Sequence, residues 1–360
     1  MTPLELSHTV LRAVRRAVDA GELWVDLPVR APVTPPGPGG CGDYATPIAL
    51  KLARPAGHPP LKVAEILRPH LAHEEGIREV VITPPGFLNI TLQETSLIQE
   101  ILARGPRYGH ADTPTAPLTH LHAPDEARAL VVMDTLARVL RSQGTPVHTS
   151  CDTRPTPELT STLGIEIDTY DTPPVENAVT IRPVPAALPG TPPFFPLGRD
   201  ASRWALLHPA PHDHPHLTGD HLAQRETNPL FRVRYAYART RALTRNATAL
   251  GFTSKAPAPA TGPAAPHQTA TPTPPTPLHL LLADHPRILT TTATHHTPHR
   301  LTHHLVAIAD TLLPLLPHVL PAGDEKPGAA HRTRLALAEA AGVVLAGGLS
   351  LLGIDAPEHL

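Results

Sequence analysis

The clearest binding chemistry in the sequence lies in an arginine-rich stretch between Asn228 and Phe252. This stretch contains five arginines and two tyrosines, in a chain whose formal net charge is -2. Guanidinium groups pair with phosphates or carboxylates through two parallel hydrogen bonds, and tyrosine rings offer stacking faces for unpaired bases. The candidate binding residues are Arg232, Arg234, Tyr235, Tyr237, Arg239, Arg241 and Arg245.

A helical projection of residues 230–250 places apolar side chains on two opposite sides. One side holds Val233, Ala236, Thr240, Leu243, Ala247 and Leu250, and the other holds Phe231, Tyr235, Ala238 and Ala242. We therefore predict a bundle helix packed on both sides, with its arginines emerging at two edges. Glu226 is the only acid close by in sequence, so ion pairs with neighbouring residues cannot occupy all of these arginines. Pairing with acids elsewhere in the fold is the alternative.

Other reactive residue types form weaker patterns. His299 and His303 have the i, i+4 spacing of a metal pair, but the chain has 24 histidines and no Glu completes a zincin motif. The two cysteines, Cys41 and Cys151, are too few for a disulfide framework or a Cys-rich zinc site. No G-x-S-x-G motif frames a nucleophilic serine. We expect no metal and no catalytic residue.

The elements that position these residues predict an α/β plus all-α fold in three sections. Residues 1–95 read as a small α/β domain, with a first helix and a second in "PLKVAEILRPHLAHEEG" that Gly76 ends. "IREVVITPPGFLNITL" predicts two short strands around a turn. Residues 110–225 contain one strand–helix–strand element, with the helix in "RALVVMDTLARVLRSQG" and a strand at "VHTSC", and then short β-like pieces.

Residues 226–360 predict a helical bundle with a Pro-rich insertion at 255–277. After the arginine-rich helix, three further helices are expected in "LHLLLADHPRIL", "PHRLTHHLVAIADTLLPLL" and "HRTRLALAEAAGVVLAGGLSLLG". The N-terminal stretch carries arginines where a signal peptide is apolar, and no apolar run is expected to approach the ~18 residues that span a membrane. We expect a soluble, cytoplasmic monomer that binds no membrane.

Stretches at both ends of the chain resemble arginyl-tRNA synthetases. "NPLFRVRYAYARTRAL" is similar to the first helix of that family's DALR-type anticodon-binding domain, and "RLALAEAAGVVLAGGLSLLGIDAPEHL" is similar to the end of the same domain. "GDYATPIALKLA" and "PPGFLNITL" resemble the additional N-terminal domain of these enzymes. The resemblance implies that the helical domain grips the anticodon stem-loop. It also implies that the N-terminal domain holds the tRNA elbow, with Phe87 and Asn89 contacting a D-loop base.

Several positions depart from the family pattern. Pro47 stands where the family has Asn, Arg234 where it has Gln, Tyr237 where it has His, and Leu360 where it has Met. Leu313 and Pro314 replace an aromatic pair. These departures concern the geometry and specificity of anticodon contact.

The middle section resembles only the flanks of the family's class I catalytic domain. The ATP-binding His-x-Gly-His signature aligns with Ala123, Pro124, Asp125 and Glu126, and a shift of one residue restores only its first histidine, as His122. Asp125 and Glu126 put negative charge where a triphosphate would bind. Residues 181–207, which correspond to the region of the Lys-x-Ser-Lys loop, contain no lysine. We therefore expect a reduced, Rossmann-like remnant with a degenerate ATP signature.

The resemblance and the lost signatures together favour a translation-related pseudoenzyme. We expect it to bind tRNA, and the family resemblance points to arginine tRNA. We expect it to need no cofactor and to bind no DNA. One alternative is an active arginine–tRNA ligase or a tRNA-dependent aminoacyl transfer enzyme, which would use ATP. The other is a protein-interaction scaffold without RNA binding.

Overall fold

A computed structural model of the chain describes nine stretches of it. They are residues 3–34, 36–37, 41–74, 76–92, 94–112, 116–171, 174–186, 197–254 and 276–360. The predicted Pro-rich insertion lies outside the described residues except for 276 and 277. Two compact units are present: residues 1–103 with 258–284, and residues 104–257 with 285–360. The predicted division into three sections stays a prediction.

The first unit packs helices against a small antiparallel sheet. Its elements are α1 (Pro3–Asp19), β1 (Tyr44–Thr46), α2 (Ile48–Ala56), α3 (Pro60–Ala72), β2 (Ile77–Thr83), β3 (Phe87–Leu92) and α4 (Glu94–Arg104). The strand order is β1-β3-β2, with β3 antiparallel to both neighbours. The predicted first helix and the hairpin are confirmed. The second helix is also confirmed, although it ends at Ala72 and not at Gly76.

The second unit begins with a parallel sheet. Its elements are β4 (Thr119–Ala123), α5 (Ala127–Ser142), β5 (Val147–Cys151), α6 (Pro157–Leu163), β6 (Val179–Thr180) and α7 (Gly198–Leu207). The strand order is β5-β4-β6, and both strand pairs are parallel. The predicted strand–helix–strand element is therefore confirmed as β4, α5 and β5. Of the predicted β-like pieces after it, only the two residues of β6 form a named strand among the described residues.

Helices follow in the rest of the chain, as the apolar stripes predict. They are α8 (Pro229–Ala249), α9 (Pro277–His295), α10 (His299–Leu312) and α11 (Ala329–Leu351). Helix α8 packs against α10 and α11. The contact with α11 is close at Gly342, because a Cβ atom built there would lie 2.5 Å from the Thr240 hydroxyl.

Helix α11 corrects the expectation about apolar runs. It is 23 residues long with a mean hydropathy of 1.5 over its most apolar window, so by length and composition it could cross a membrane. However, 67% of that window is buried inside the protein. Burial of this kind is typical of a core helix in a bundle, which passes the same test.

A buried arginine joins the helices of the second unit. The Arg203 guanidinium is fully buried and donates to the Leu352 carbonyl at 2.7 Å, the Leu163 carbonyl at 3.0 Å and the Asp134 carboxylate at 2.6 Å. Burial lowers the pKa of Arg203, while the charge of Asp134 acts in the opposite direction. This one side chain therefore ties α7 to α5, to the end of α6 and to the chain after α11.

Candidate nucleic-acid interface

Helix α8 carries the predicted binding residues, and it is packed mainly on one side. The first predicted apolar side is buried from Val233 to Ala247, whereas Leu250 at the helix end is exposed. On the opposite side Tyr235 is 39% exposed and Phe231 is partly exposed, and Ala238 is the buried residue of that side. The prediction of a helix sandwiched between two layers was therefore wrong. Tyrosine and phenylalanine counted as apolar in the projection, yet here they form a surface.

Four of the five arginines of α8 pair with acids that are distant in sequence. Arg241 and Arg245 both reach the carboxylate of Glu358, at 3.0 and 3.4 Å. Arg234 pairs with Asp200, and Arg232 lies 3.3 Å from Asp310. The alternative of pairing elsewhere in the fold thus describes these four side chains.

Arg239 differs from the other arginines of the helix. It is exposed, and no ion pair or hydrogen bond involves its guanidinium among the residues that the structure describes. Tyr235 lies one turn before it on the same face, and the ring of Tyr235 stacks on Phe231 with centroids 5.5 Å apart. We call Phe231, Tyr235 and Arg239 the α8 surface stripe. An aromatic platform beside a free cation suits a nucleic-acid strand.

Tyr237 lies on the flank of α8 that faces the Glu358 pairs. It is partly buried, and burial raises the pKa of its phenol, while the charge of Arg241 lowers it and that of Glu358 raises it. The ring is therefore in its neutral form at neutral pH, as a hydrogen-bonding or stacking group. Its position beside paired arginines makes it less accessible than Tyr235.

The two predicted residues of the N-terminal domain lie in different environments. Phe87 is 36% exposed at the start of β3, directly after the turn at Gly86. Gly86 has a φ of +147° and a Cβ atom there would lie 2.9 Å from Pro60, so only glycine fits this turn.

Asn89 is 2% exposed and its amide is used internally. Its nitrogen donates to the Thr83 hydroxyl at 2.8 Å and to the Val81 carbonyl at 3.3 Å, and its oxygen accepts from the Cys41 backbone at 3.4 Å. This geometry presents Phe87 to solvent and keeps Asn89 within the sheet. Cys41 itself is a free, exposed thiol.

The residues predicted to hold a degenerate ATP signature lie at the end of β4 and the start of α5. His122 and Ala123 are buried strand residues, Pro124 is half-buried and Asp125 is exposed. The ring of His122 is held on both sides, with Nδ1 2.9 Å from the Ser150 hydroxyl and Nε2 2.8 Å from the Asp152 carboxylate. Sequence reasoning did not find Ser150 or Asp152, because the pairing of β4 with β5 brings them to His122.

Glu126 occupies the N-terminus of α5. Its carboxylate accepts the backbone N–H groups of Arg128 at 3.1 Å and Ala129 at 2.8 Å, and also that of Ala186 at 3.0 Å. The first N–H groups of a helix are a natural binding site for phosphate. Here the chain fills that site with its own anion.

Arg128 is buried just after this cap and makes hydrogen bonds to five carbonyls. Its guanidinium donates to the carbonyl oxygens of Val184, Leu206, Pro209, Ala210 and Asp213, at 2.7 to 3.0 Å. Burial lowers the pKa of Arg128, and the charges of Glu126 and Asp213 oppose this effect. All of its donors are committed, so Arg128 fixes the loops around α5 and leaves no N–H for a ligand.

The predicted histidine pair lies at the start of α10. The rings of His299 and His303 are 5.7 Å apart and edge to face. Within the described parts of the chain, no group of three or more His, Cys, Asp or Glu side chains could hold a metal ion. The pair therefore has no further ligand there.

Comparison with known proteins gives matches at both ends of the chain. The model of the DALR anticodon binding domain matches residues 233–360, and that of the arginyl tRNA synthetase N terminal domain matches residues 5–92. The arginine–tRNA ligase of Frankia alni is 38% identical over 161 residues, which are 40% of this chain and 28% of that protein. The enzyme of Kineococcus radiotolerans is 38% identical over 41% of this chain and 29% of its own length. These matches thus span under a third of the curated relatives.

Solved structures show the same fold at low sequence identity. The chain matches Thermus thermophilus arginyl-tRNA synthetase with a TM-score of 0.62 and 15% identity, covering 100% of both chains. It matches arginyl-tRNA synthetase from Plasmodium falciparum with a TM-score of 0.57 and 11% identity, covering 99% of each chain.

An anticodon-binding domain joined to a synthetase N-terminal domain defines a protein of the aminoacyl-tRNA synthetase type. Both domain models and the relatives above agree on one member of that class. The chain belongs to the arginyl-tRNA synthetase family.

Proposed function

We propose that this chain is a tRNA-binding member of the arginyl-tRNA synthetase family that does not activate an amino acid. The observation that carries the proposal is the α8 surface stripe, which lies on the helix that opens the anticodon-binding domain. Phe231 and Tyr235 offer a stacked aromatic surface, and Arg239 adds an exposed cation that has no partner among the described residues. Such a surface binds bases by stacking and phosphates by charge.

The other arginines of α8 take part in a second way. Arg241 and Arg245 share one half-exposed carboxylate, Glu358, and ion pairs of this kind are weak, at about 0–1 kcal/mol. A phosphate can therefore replace the carboxylate at small cost. We infer that these two arginines form an extension of the stripe that becomes available when RNA displaces Glu358.

In the N-terminal domain, Phe87 is the residue we propose to contact RNA. Its exposed ring can stack on a splayed base, as the family resemblance implies. For Asn89 we propose a supporting role, since reading a base edge would require it to give up hydrogen bonds to Thr83 and Val81.

The non-catalytic part of the proposal is supported by Glu126. A nucleotide phosphate at the N-terminus of α5 would have to displace a carboxylate that holds three backbone N–H groups. It would also meet the charge of Asp125 nearby. The protein we propose is translation-related and cytoplasmic, with ATP as a ligand only under the ligase alternative.

Binding is tested by a mobility-shift titration of the full chain with total tRNA. We expect a shift, and we expect Arg239→Glu to weaken binding at least tenfold, because one contact is lost and repulsion replaces it. Arg300→Glu is the matched control, since Arg300 is also an exposed arginine on a helix of the same unit. Equal affinities for Arg239→Glu and the unchanged chain would remove the α8 surface stripe from the proposal.

The absence of amino-acid activation is tested separately. We expect no arginine-dependent exchange of pyrophosphate into ATP, with or without tRNA. Exchange at a rate typical of a synthetase would establish the ligase alternative and refute the non-catalytic part, while leaving tRNA binding intact.

A further inference from the structure

Three side chains at the carboxyl end of the parallel sheet form a hydrogen-bonded series. The Ser150 hydroxyl lies 2.9 Å from Nδ1 of His122, and the Asp152 carboxylate lies 2.8 Å from Nε2 of the same ring. Sheet register brings them together, because His122 and Ser150 are partners on β4 and β5 and Asp152 follows two residues later. The carboxyl ends of parallel strands are where α/β proteins place ligands.

The partners of His122 fix its tautomer. A carboxylate only accepts hydrogen bonds, so Nε2 carries the hydrogen that is donated to Asp152. Nδ1 then has a free lone pair and accepts the hydroxyl hydrogen of Ser150. The other acceptor near this hydroxyl is the Leu121 carbonyl, which is farther away at 3.4 Å.

The accessibility of the three groups also fits a reactive arrangement. His122 is 2% exposed and both of its ring nitrogens have a partner at hydrogen-bond distance, whereas Ser150 is half-buried and Asp152 is exposed. A hydroxyl with a base at hydrogen-bond distance, and a carboxylate that orients the base, is the arrangement that activates a serine.

We propose that Ser150, His122 and Asp152 form a nucleophilic triad that hydrolyses carboxylic esters. Ser150 Oγ attacks the ester carbonyl carbon while its proton passes to Nδ1 of His122. The bond from the carbonyl carbon to the ester oxygen breaks, and the alcohol leaves with that proton. Water then attacks the carbonyl carbon of the acyl-serine and gives a proton to Nδ1 of His122. The bond from that carbon to Ser150 Oγ breaks, the carboxylic acid is released, and His122 returns the proton to Ser150 Oγ.

The charges around the triad select the substrate. Asp125 and Asp152 are both exposed at this end of the sheet, and Glu126 is adjacent to Asp125. Their field repels anionic acyl groups and attracts cationic ones. The substrate class is therefore esters whose acyl group is neutral or cationic. The acyl group of an arginyl-tRNA is cationic and meets this condition, and that choice of substrate rests on the proposed tRNA binding.

The full chain is first treated with a fluorophosphonate probe, and the modified peptide is identified by mass spectrometry. We expect Ser150 to be labelled, and labelling to be lost in Asp152→Asn, which removes the carboxylate that sets the tautomer. Ser161 is the internal control, because it is an exposed serine that donates to the Glu158 carbonyl and has no hydrogen bond to a histidine within the described parts of the chain. Labelling of Ser161 but not Ser150 would overturn the triad.

Hydrolysis of 4-nitrophenyl acetate and of arginine methyl ester is then measured. We expect Ser150→Ala to lower both rates about 100-fold or more, and Ser161→Ala to leave them unchanged. Equal rates for Ser150→Ala and the unchanged chain would overturn the proposal. Circular dichroism melting confirms that each variant is folded.

A final arm measures release of arginine from arginyl-tRNA. Release that depends on Ser150 supports the tRNA ester as substrate. Hydrolysis of the small esters without release supports the triad and rejects that ester. A tRNA mobility shift without hydrolysis of any ester overturns the triad and leaves the proposed function standing.

Discussion

Replacing Glu358 by Gln tests how the arginines of α8 are held. The carboxylate of Glu358 lies 3.0 Å from Arg241 and 3.4 Å from Arg245, and all three side chains are 43–46% exposed. Ion pairs this exposed contribute about 0–1 kcal/mol each, and we take about 0.5 kcal/mol for each of these two. RNA that displaces Glu358 must break both pairs, at a combined cost of about 1 kcal/mol.

Without this competition, Glu358→Gln should bind tRNA about fivefold more tightly, because 1.4 kcal/mol corresponds to a factor of ten. The assay is filter binding of tRNA at several KCl concentrations, with the gain largest at low salt, where exposed charges are least screened. Glu226→Gln removes the same charge from an exposed acid just before α8 and controls for net charge. The reasoning fails if Glu358→Gln binds no more tightly than Glu226→Gln.

The remaining predictions concern stability. Arg203→Met should lower the free energy of unfolding by about 3–5 kcal/mol, measured by urea titration, because it leaves the buried Asp134 carboxylate and two carbonyls without this donor; a loss below 1 kcal/mol would contradict the role given to Arg203. Gly353→Ala should cost about 2 kcal/mol in the same titration, since Gly353 has a φ of +71° and a Cβ atom would lie 2.5 Å from the Arg203 guanidinium; an unchanged midpoint would show that Arg203 can move aside. Burial lowers the pKa of His208 from 6.5 to about 4, so the unfolded chain binds the extra proton between these values and stability falls as the pH drops below 6.5. Between pH 7 and pH 5 this histidine should account for about 2 kcal/mol of lost stability, which His208→Gln would not show and the exposed control His212→Gln would retain.

The local sequence pattern predicted the elements that have a clear hydrophobic periodicity. The hairpin of β2 and β3, helix α5 and the C-terminal helices follow from alternation, apolar stripes and turn residues. Helix α2 and strand β1 were not predicted. The apolar stripe of the first, Ile48, Ala49, Leu52 and Ala53, spans little more than one turn before Pro55, and the second is only three residues long, so both patterns are too short to stand out.

The candidate site could be predicted only in part, because its partners are distant in sequence. The Arg241–Glu358 contact spans 117 positions and the Arg234–Asp200 contact spans 34. No helical projection of α8 contains those acids. The same reason explains why the partners of His122 were missed, since they lie 28 and 30 residues away, on β5 and directly after it.

The central claim is that this chain holds RNA through cationic and aromatic surfaces. It is tested most directly by measuring the tRNA affinity of the unchanged chain from low to high KCl. We predict a measurable complex at low salt and a straight, steep fall of log K with log[KCl], as displaced counterions require. The absence of any complex at low salt, or an affinity that does not change with salt, would contradict the account.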